Sequence, residues 1–396
     1  MNIRTGICAT VLTLVSLLSG CGHAKTDTPP STAFLDEALR ESFAQTGAPG
    51  AIVAVQTPQY TWMRSVGVAN TATGEAMAPA MHTRIASVTK IFTVTMLLQA
   101  AAEGLLSLDD PISRYHPNIP NGDRITLRLL ANHRSGIGNY ESNDRWLAQW
   151  KADPERAWTP EELVAFGIEE SPLFPPGTDF RYSNTNTVLI GLVLEKVTGK
   201  PVGQLYQDRI LRPLGLRATA FSGAAPSIAR PHPRGYTLFG QSSGADPVDA
   251  TDWNPSVAWT AGGLTSTAED LLAFGRAMGT GKGLLPPERQ AERLASLLPE
   301  PGKPETSYGL GLMGMRDWIG HTGEIPGFTA TLFYHRGLHA TVVVLVNSDI
   351  ASGGCPRPIP TLAKNRRDHR CDAPANLINA ALANALGKPV PPPPTP

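Results

Sequence analysis

β-Rich runs stand at both ends of this chain, and the long stretch between them is built differently. "GAIVAVQ" (50–56) and "YTWMRSVGVAN" (60–70) are dense in β-branched and aromatic residues and are separated by a Thr-Pro-Gln turn. That pattern predicts an antiparallel pair near the N-terminus. "FTATLFYHRGLHATVVVLVNS" (328–348) supplies two more such runs around Arg336 and Gly337, a hairpin signal. From about 111 to 255 the texture changes to Pro-, Gly- and Asn-punctuated loops alternating with helical stretches such as "PEELVAFGIEE" and "NTVLIGLVLEKVTGK". The expected fold class is α+β, an antiparallel sheet flanked by helices within one domain over 34–387. Residues of about 34–110 and 256–387 form its sheet lobe, and a mostly helical lobe of about 111–255 is inserted in sequence. "STAEDLLAFGRAMG" carries a capping-box pattern, Ser266 with Glu269, and "ANLINAALANALG" predicts a last helix. The tail 388–396 is Pro-rich and reads as exposed polyproline.

The chain has 396 residues and 41% hydrophobic content, enough for a substantial core. Lys plus Arg and Asp plus Glu both total 34, so the formal net charge is zero and nothing in the balance marks a nucleic-acid partner. Residues 1–20 form a separate unit, with Arg4 as a short positive region, an apolar run over 7–18, and "LSGC" ending at Cys21. This reads as an export signal, too short and too interrupted to make a persuasive spanning helix. Leu18, Ser19, Gly20 and Cys21 resemble a bacterial lipobox, which implies lipidation of Cys21 and a flexible tether over 21–33. The protein would then be anchored to a membrane of the cell envelope, on its periplasmic or extracellular face. An ordinary signal peptide with an incidental Cys is the alternative. Cys355 and Cys371 remain as an even pair, expected to form a disulfide in an oxidising compartment. His369 has no second His at ligand spacing, so no metal site is expected there.

"RIASVTKIFTVTMLLQAAAEG" (84–104) places Ser87 and Lys90 three positions apart at the head of an apolar helix expected over 87–103. Residues so spaced share a helix face. A hydroxyl is a weak nucleophile, and an amine becomes a base near neutral pH when burial lowers its pKa, so this pair has the makings of an activated serine. Alone, the four-letter pattern is weak.

Two further segments change its weight. "FPPGTDFRYSNTNTVLIG" places Tyr182, Ser183 and Asn184 at a loop-to-helix junction, and "WIGHTGEIPGF" places His321, Thr322 and Gly323 immediately before a strand run. With SVTK, YSN and HTG in this order, the chain resembles the penicillin-recognising serine hydrolases: class C β-lactamases, D-alanyl-D-alanine carboxypeptidases and their esterase relatives. The resemblance covers about 34–350 and includes "ITLRLLANHRSGI", "PLGLRATAF" and "TAGGLTSTAEDLLAF".

The resemblance implies a β-lactamase/transpeptidase-like fold. It also implies that Ser87 attacks an acyl carbonyl, that Lys90 takes its proton or holds the network that does, and that Tyr182 relays it to the leaving group. For that the Tyr182 phenol needs a lowered pKa, expected from the positive charge of Lys90 and His321. Asn184 would hold the substrate amide and the Lys90 ammonium. His321, Thr322 and Gly323 would line the substrate site, with the backbone N–H groups of Ser87 and Glu324 as an oxyanion hole. His321, standing where a fixed cation is usual, would titrate near neutrality and make turnover of carboxylate-bearing substrates fall as pH rises. Glu324 and Thr187 depart from the family pattern, the first where a small residue is expected and the second where an aromatic one is frequent. No cofactor is implied. The substrate would be a small molecule or peptide: a D-alanyl-D-alanine-like peptide, as in the peptidoglycan stem, or a β-lactam. A carboxylesterase, or an envelope protein that keeps the fold without chemistry, are the other readings. "GQSSG" (240–244) fits a nucleophile elbow, but Asp, Pro and Asn follow where a helix should begin, and His133 and Ser135 in "NHRSG" read as loop stabilisers.

Overall fold

The computed structural model describes Met1 and residues 32–391. Cys21, nearly all of the expected signal and tether, and the last five residues lie outside the described residues. Among the described residues nine strands form one antiparallel sheet: β1 (Gly50–Gln56), β2 (Thr61–Asn70), β3 (Glu75–Ala76), β4 (Leu298–Glu300), β5 (Lys303–Tyr308), β6 (Met313–Met315), β7 (Trp318–Ile325), β8 (Phe328–His335) and β9 (Ala340–Val346). Their spatial order is β3-β2-β1-β9-β8-β7-β6-β5-β4. The N-terminal hairpin joins the C-terminal strands where β1 pairs with β9, from Ala51 opposite Val346 to Gln56 opposite Thr341.

Alternation along these strands feeds two cores, because successive side chains leave a strand on opposite faces. Val53, Val55, Val342 and Val344 meet Leu35, Leu39, Ile378 and Leu382 from helices α1 (Ala33–Thr46) and α5 (Pro374–Ala385). Ile52, Ala54, Val343 and Leu345 face the other way, into a larger core shared with α2 (Thr89–Ala102), α3 (Asn184–Thr198) and α4 (Ala268–Thr280). Helix α4 lies close on the sheet at Gly279, where a Cβ would stand 2.1 Å from the Tyr334 ring. Its N-cap is Thr267, whose side chain accepts from the Asp270 N–H, one residue later than the expected Ser266 and Glu269 box. Ser266 is buried and meets the Thr219 hydroxyl at 2.8 Å instead.

Helix α2 is buried along nearly its whole length, with α3 and the short helix Trp259–Gly262 packed against it. One tight turn, Ala86–Val88, precedes it and lies against β7. Side chains of the helical segment and of the sheet share one continuous core. Buried Arg84, three residues before Ser87, ties the two together by donating to the carbonyls of Pro226 and Thr251 at 2.8 and 3.1 Å. Cys355 and Cys371 are joined by a disulfide. Among the described residues no helix is long and apolar enough to cross a membrane.

Candidate active site

The turn that carries Ser87 is held in a conformation its sequence would not choose. Ala86 has φ 45°, in the left-handed region that costs a residue with a side chain on the order of 1–2 kcal/mol. Strand β7, which contains the His321, Thr322 and Gly323 element rather than following it, presses on the turn at Gly323. A Cβ there would lie 2.4 Å from the Ile85 carbonyl oxygen and 3.2 Å from the Ser87 nitrogen. Only a residue without a side chain allows that approach. Ser87 lines a cleft of about 450 Å³, walled on one side by β7 and on the other by residues of the helical segment.

Lys90 lies one turn along, 1% exposed, with its Nζ 2.9 Å from Ser87 Oγ and donating to the Ala261 carbonyl at 2.8 Å. Burial lowers its pKa to about 7, against an opposing pull from the Glu141 carboxylate. Amine and ammonium therefore coexist near neutral pH, and the amine can accept a proton from Ser87. The sequence puts a cation on an apolar helix; the fold leaves it only partly charged.

Tyr182 enters from the loop before α3, with its ring centroid 4.9 Å from Lys90 Nζ and 4.5 Å from the His133 ring. Burial holds the phenol well above its ordinary pKa, against a smaller opposing pull from the nearby Ser87 hydroxyl. The Tyr182 hydroxyl itself is buried without a hydrogen bond of good geometry among the described residues. The expected lowering does not occur, so Tyr182 is a neutral phenol and Lys90 is the group poised to act as base.

Asn184 opens α3 and lines the cleft, but its Oδ1 has no hydrogen-bond partner among the described residues. It does not hold the Lys90 ammonium, which is engaged by Ser87 and Ala261. Thr322 and Glu324 line the cleft with His321. Thr187 does not: it is buried inside α3, its carbonyl accepting from the Thr260 hydroxyl at 2.9 Å. Ser242 of the elbow-like motif sits in an exposed turn with no strand-to-helix junction.

His321 departs most from expectation. Its Nε2 is 2.9 Å from the Tyr308 hydroxyl, which also meets His133 Nε2 at 3.2 Å. His133 Nδ1 faces two donors, the Ser183 N–H at 3.3 Å and the Asn186 amide at 3.2 Å. Satisfying every partner assigns the protons. His133 accepts at Nδ1 and donates from Nε2 to Tyr308; Tyr308 donates to His321 Nε2; His321 donates from Nδ1 to the Thr322 carbonyl. Both rings are neutral in this relay, and burial, with the nearby Lys90 charge, lowers the His321 pKa to about 3. The expected titration of His321 near neutrality is overturned, because an imidazolium there would be buried and would confront the Lys90 charge and the Tyr308 hydroxyl proton.

Three participants escape a reading of the sequence alone. Glu141, in the cleft wall, has its carboxyl raised by burial against the pull of Lys90, and its access to solvent moderates the shift. Tyr308, and His133, which was expected only to steady its loop, form the relay behind Tyr182. "NHRSG" and "SYGLG" are the available signals, a His and a Tyr beside turn glycines.

A family model described as Beta-lactamase matches residues 35–356. The chain belongs to the β-lactamase family. It is an enzyme of the β-lactamase-related serine hydrolase type, with the β-lactamase/transpeptidase-like fold. Among curated proteins, this β-lactamase-family chain is similar to the D-alanyl-D-alanine-carboxypeptidase/endopeptidase AmpH of Escherichia coli, 28% identical over 70% of this chain and 69% of that one. A D-aminopeptidase of Cereibacter sphaeroides is 26% identical over 77% of this chain and 58% of its own length. The chain spans about three fifths to seven tenths of the length of these curated relatives. Among solved structures, a D-stereospecific amidohydrolase from Streptomyces sp. is 34% identical, with TM-score 0.74, over 81% of this chain and 95% of that one.

Proposed function

We propose that this β-lactamase-family enzyme hydrolyses amide bonds of D-configured peptides or amides through an ester on Ser87. The carrying observation is the 2.9 Å contact between Ser87 Oγ and Lys90 Nζ, with the amine held near neutrality. The D-configuration is supported by the activities for which the aminopeptidase and amidohydrolase relatives are named. Lys90 takes the Ser87 proton as the hydroxyl adds to the substrate carbonyl. Tyr182, a neutral phenol, donates its proton to the leaving amine and regains one from the Lys90 ammonium. Water then cleaves the ester. The backbone N–H groups of Ser87 and Glu324 are assigned to the carbonyl oxygen, supported by the close approach of β7 to the Ser87 turn. D-alanyl-D-alanine-like peptides and β-lactams fall within this class. A carboxylesterase is the second reading, favoured by the neutrality of His321, since an ester needs no cation to hold a carboxylate.

Export and lipid anchoring at Cys21 complete the proposal and rest on the sequence pattern of residues 1–21. The test compares wild type with Ser87→Ala on a fluorescent penicillin, a D-amino-acid amide and a neutral ester. Amide hydrolysis lost in the variant supports the reading; turnover of the ester alone selects the esterase.

A further inference from the structure

A second pocket lies behind strand β7, on the face of the sheet away from Ser87. Successive side chains leave a strand on opposite sides, so with Gly323 against the Ser87 turn and His321 beside Tyr182, Thr322 turns the other way. Thr322 stands opposite Thr331 of β8, Thr331 stands opposite Val344 of β9, and Val344 belongs to the core under α5. There the edge strands and α5 enclose about 160 Å³. An apolar cavity of about 150 Å³ admits a benzene ring. Met313, Met315, Phe333 and Ala380 supply apolar wall. The chain's tail, expected to be exposed, adds to that wall at Val390 and Pro391. It is fixed there by the Trp318 indole, which donates to the Lys388 carbonyl at 2.8 Å, and by Arg316, which donates to the Pro389 carbonyl at 3.2 Å.

Glu300, Met313 and Thr322 line both this pocket and the acylation cleft, so the two spaces are neighbours. Position along β7 decides which end of a substrate reaches it. Glu324, whose N–H is assigned to the carbonyl oxygen, lies at one end of the site. In the opposite direction along the strand comes His321, whose ring centroid is 6.0 Å from that of Tyr182, the proton donor to the leaving amine. Met313 pairs with Gly320, one residue further the same way. The shared wall therefore stands on the amine side of the scissile bond.

An unmet polar group points to a ligand. Asn379 lines the pocket from α5, is 3% exposed, and leaves Oδ1 without a hydrogen-bond partner among the described residues. Asp372, also in the lining, is already engaged by the Asn376 amide and the Ala373 N–H, each at 2.8 Å. A buried acceptor without a partner is costly and is relieved by a donor. Apolar walls of ring size with one open acceptor suit an aromatic side chain that carries a hydroxyl.

We propose that this pocket is a leaving-group subsite: it takes the aromatic side chain of the residue on the amine side of the scissile bond, and Asn379 accepts from a ring hydroxyl. The subsite names the leaving-group class of the proposed activity and rests on Ser87 being the acylated residue.

The test uses the full chain at about pH 7 with D-alanyl-glycinamide, D-alanyl-D-phenylalaninamide and D-alanyl-D-tyrosinamide. The expected kcat/KM for the phenylalanine amide exceeds that for the glycine amide by about tenfold or more, the scale on which burying such a side chain contributes. Tyrosine exceeds phenylalanine by a further factor of about three, as one neutral hydrogen bond allows. Ala380→Phe, which fills the pocket from α5, brings the aromatic preference toward one, and Asn379→Leu abolishes the advantage of tyrosine. Ratios within one protein cancel any general loss of activity. Equal kcat/KM for the glycine and phenylalanine amides in wild type, or an aromatic preference untouched by Ala380→Phe, overturns the subsite. A tyrosine advantage that is missing in wild type, or that survives Asn379→Leu, overturns the role of Asn379. Ser87-dependent hydrolysis without aromatic preference sinks the subsite alone, whereas amide hydrolysis that is absent, or that survives Ser87→Ala, sinks the catalytic reading beneath it.

Discussion

The Tyr308 hydroxyl donates to His321 Nε2 across 2.9 Å, and the direction of that bond is set from the far end of a chain of buried partners beginning at Asn186. Tyr308→Phe removes the donor to His321 and the acceptor of His133 together. Two buried ring nitrogens then lack partners, and each unpaired buried group costs about 1–3 kcal/mol. We expect a lower melting temperature and reduced kcat/KM, as the His321 ring loses one of its two tethers. A variant as stable and active as wild type would show that the chain positions nothing.

Lys90 should dominate the pH dependence. The amine that accepts the Ser87 proton exists above its pKa of about 7 and is lost below it. Turnover of p-nitrophenyl acetate should therefore rise with pH through about 7 and level off above. His321, lowered to about 3, adds no step in that range, and Tyr182 keeps its proton throughout. Lys90→Arg should lower kcat by at least about a hundredfold, the scale on which a positioned base acts. Activity that falls as pH rises from about 6 to about 8, on either side of the Lys90 pKa, would contradict the assignment.

Gly323→Ala is a backbone test of the site. The added methyl would lie 2.4 Å from the Ile85 carbonyl oxygen and 3.2 Å from the Ala86 Cβ, so strand or turn must shift. Misplacement of about 1 Å can cost a hundredfold in rate. The expected result is a folded protein, by circular dichroism, whose kcat has fallen by at least about tenfold. Unchanged kcat would mean that the strand's approach is not part of the machinery.

The disulfide closes a segment with a sequence separation of 16. A loop of that size corresponds to about 3 kcal/mol of lost chain entropy in the unfolded state. Replacing both Cys355 and Cys371 by Ser should make residues 352–372 the first site of limited proteolysis. Cleavage at an unchanged rate would show that the loop is held by its hydrogen bonds alone.

The inner strands are legible in the sequence because their two-sided burial leaves continuous runs of Val, Ile and Leu, as in 50–56 and 340–346. The strands β4, β5 and β6 toward one edge are not, since "LPE" and "MGM" are short and carry Pro or Gly, as edges do. The α4 cap falls one residue from its expected place because Ser266 and Thr267 are both able caps, and the contact of Ser266 with Thr219 leaves the role to Thr267. In the site, spacing reveals the Ser87 and Lys90 neighbourhood, which is local. Charge states are not local. Tyr182 and His321 are neutral because of burial among residues from distant segments, and Glu141, His133 and Tyr308 reach the site from segments outside the SVTK, YSN and HTG elements.

Intact-protein and peptide mass spectrometry after brief exposure to an acylating ester or penicillin tests the central claim most directly. The account predicts one acyl adduct, on the peptide containing Ser87, absent from Ser87→Ala together with hydrolysis. An adduct on another residue, or hydrolysis that persists once the Ser87 hydroxyl is gone, would contradict it.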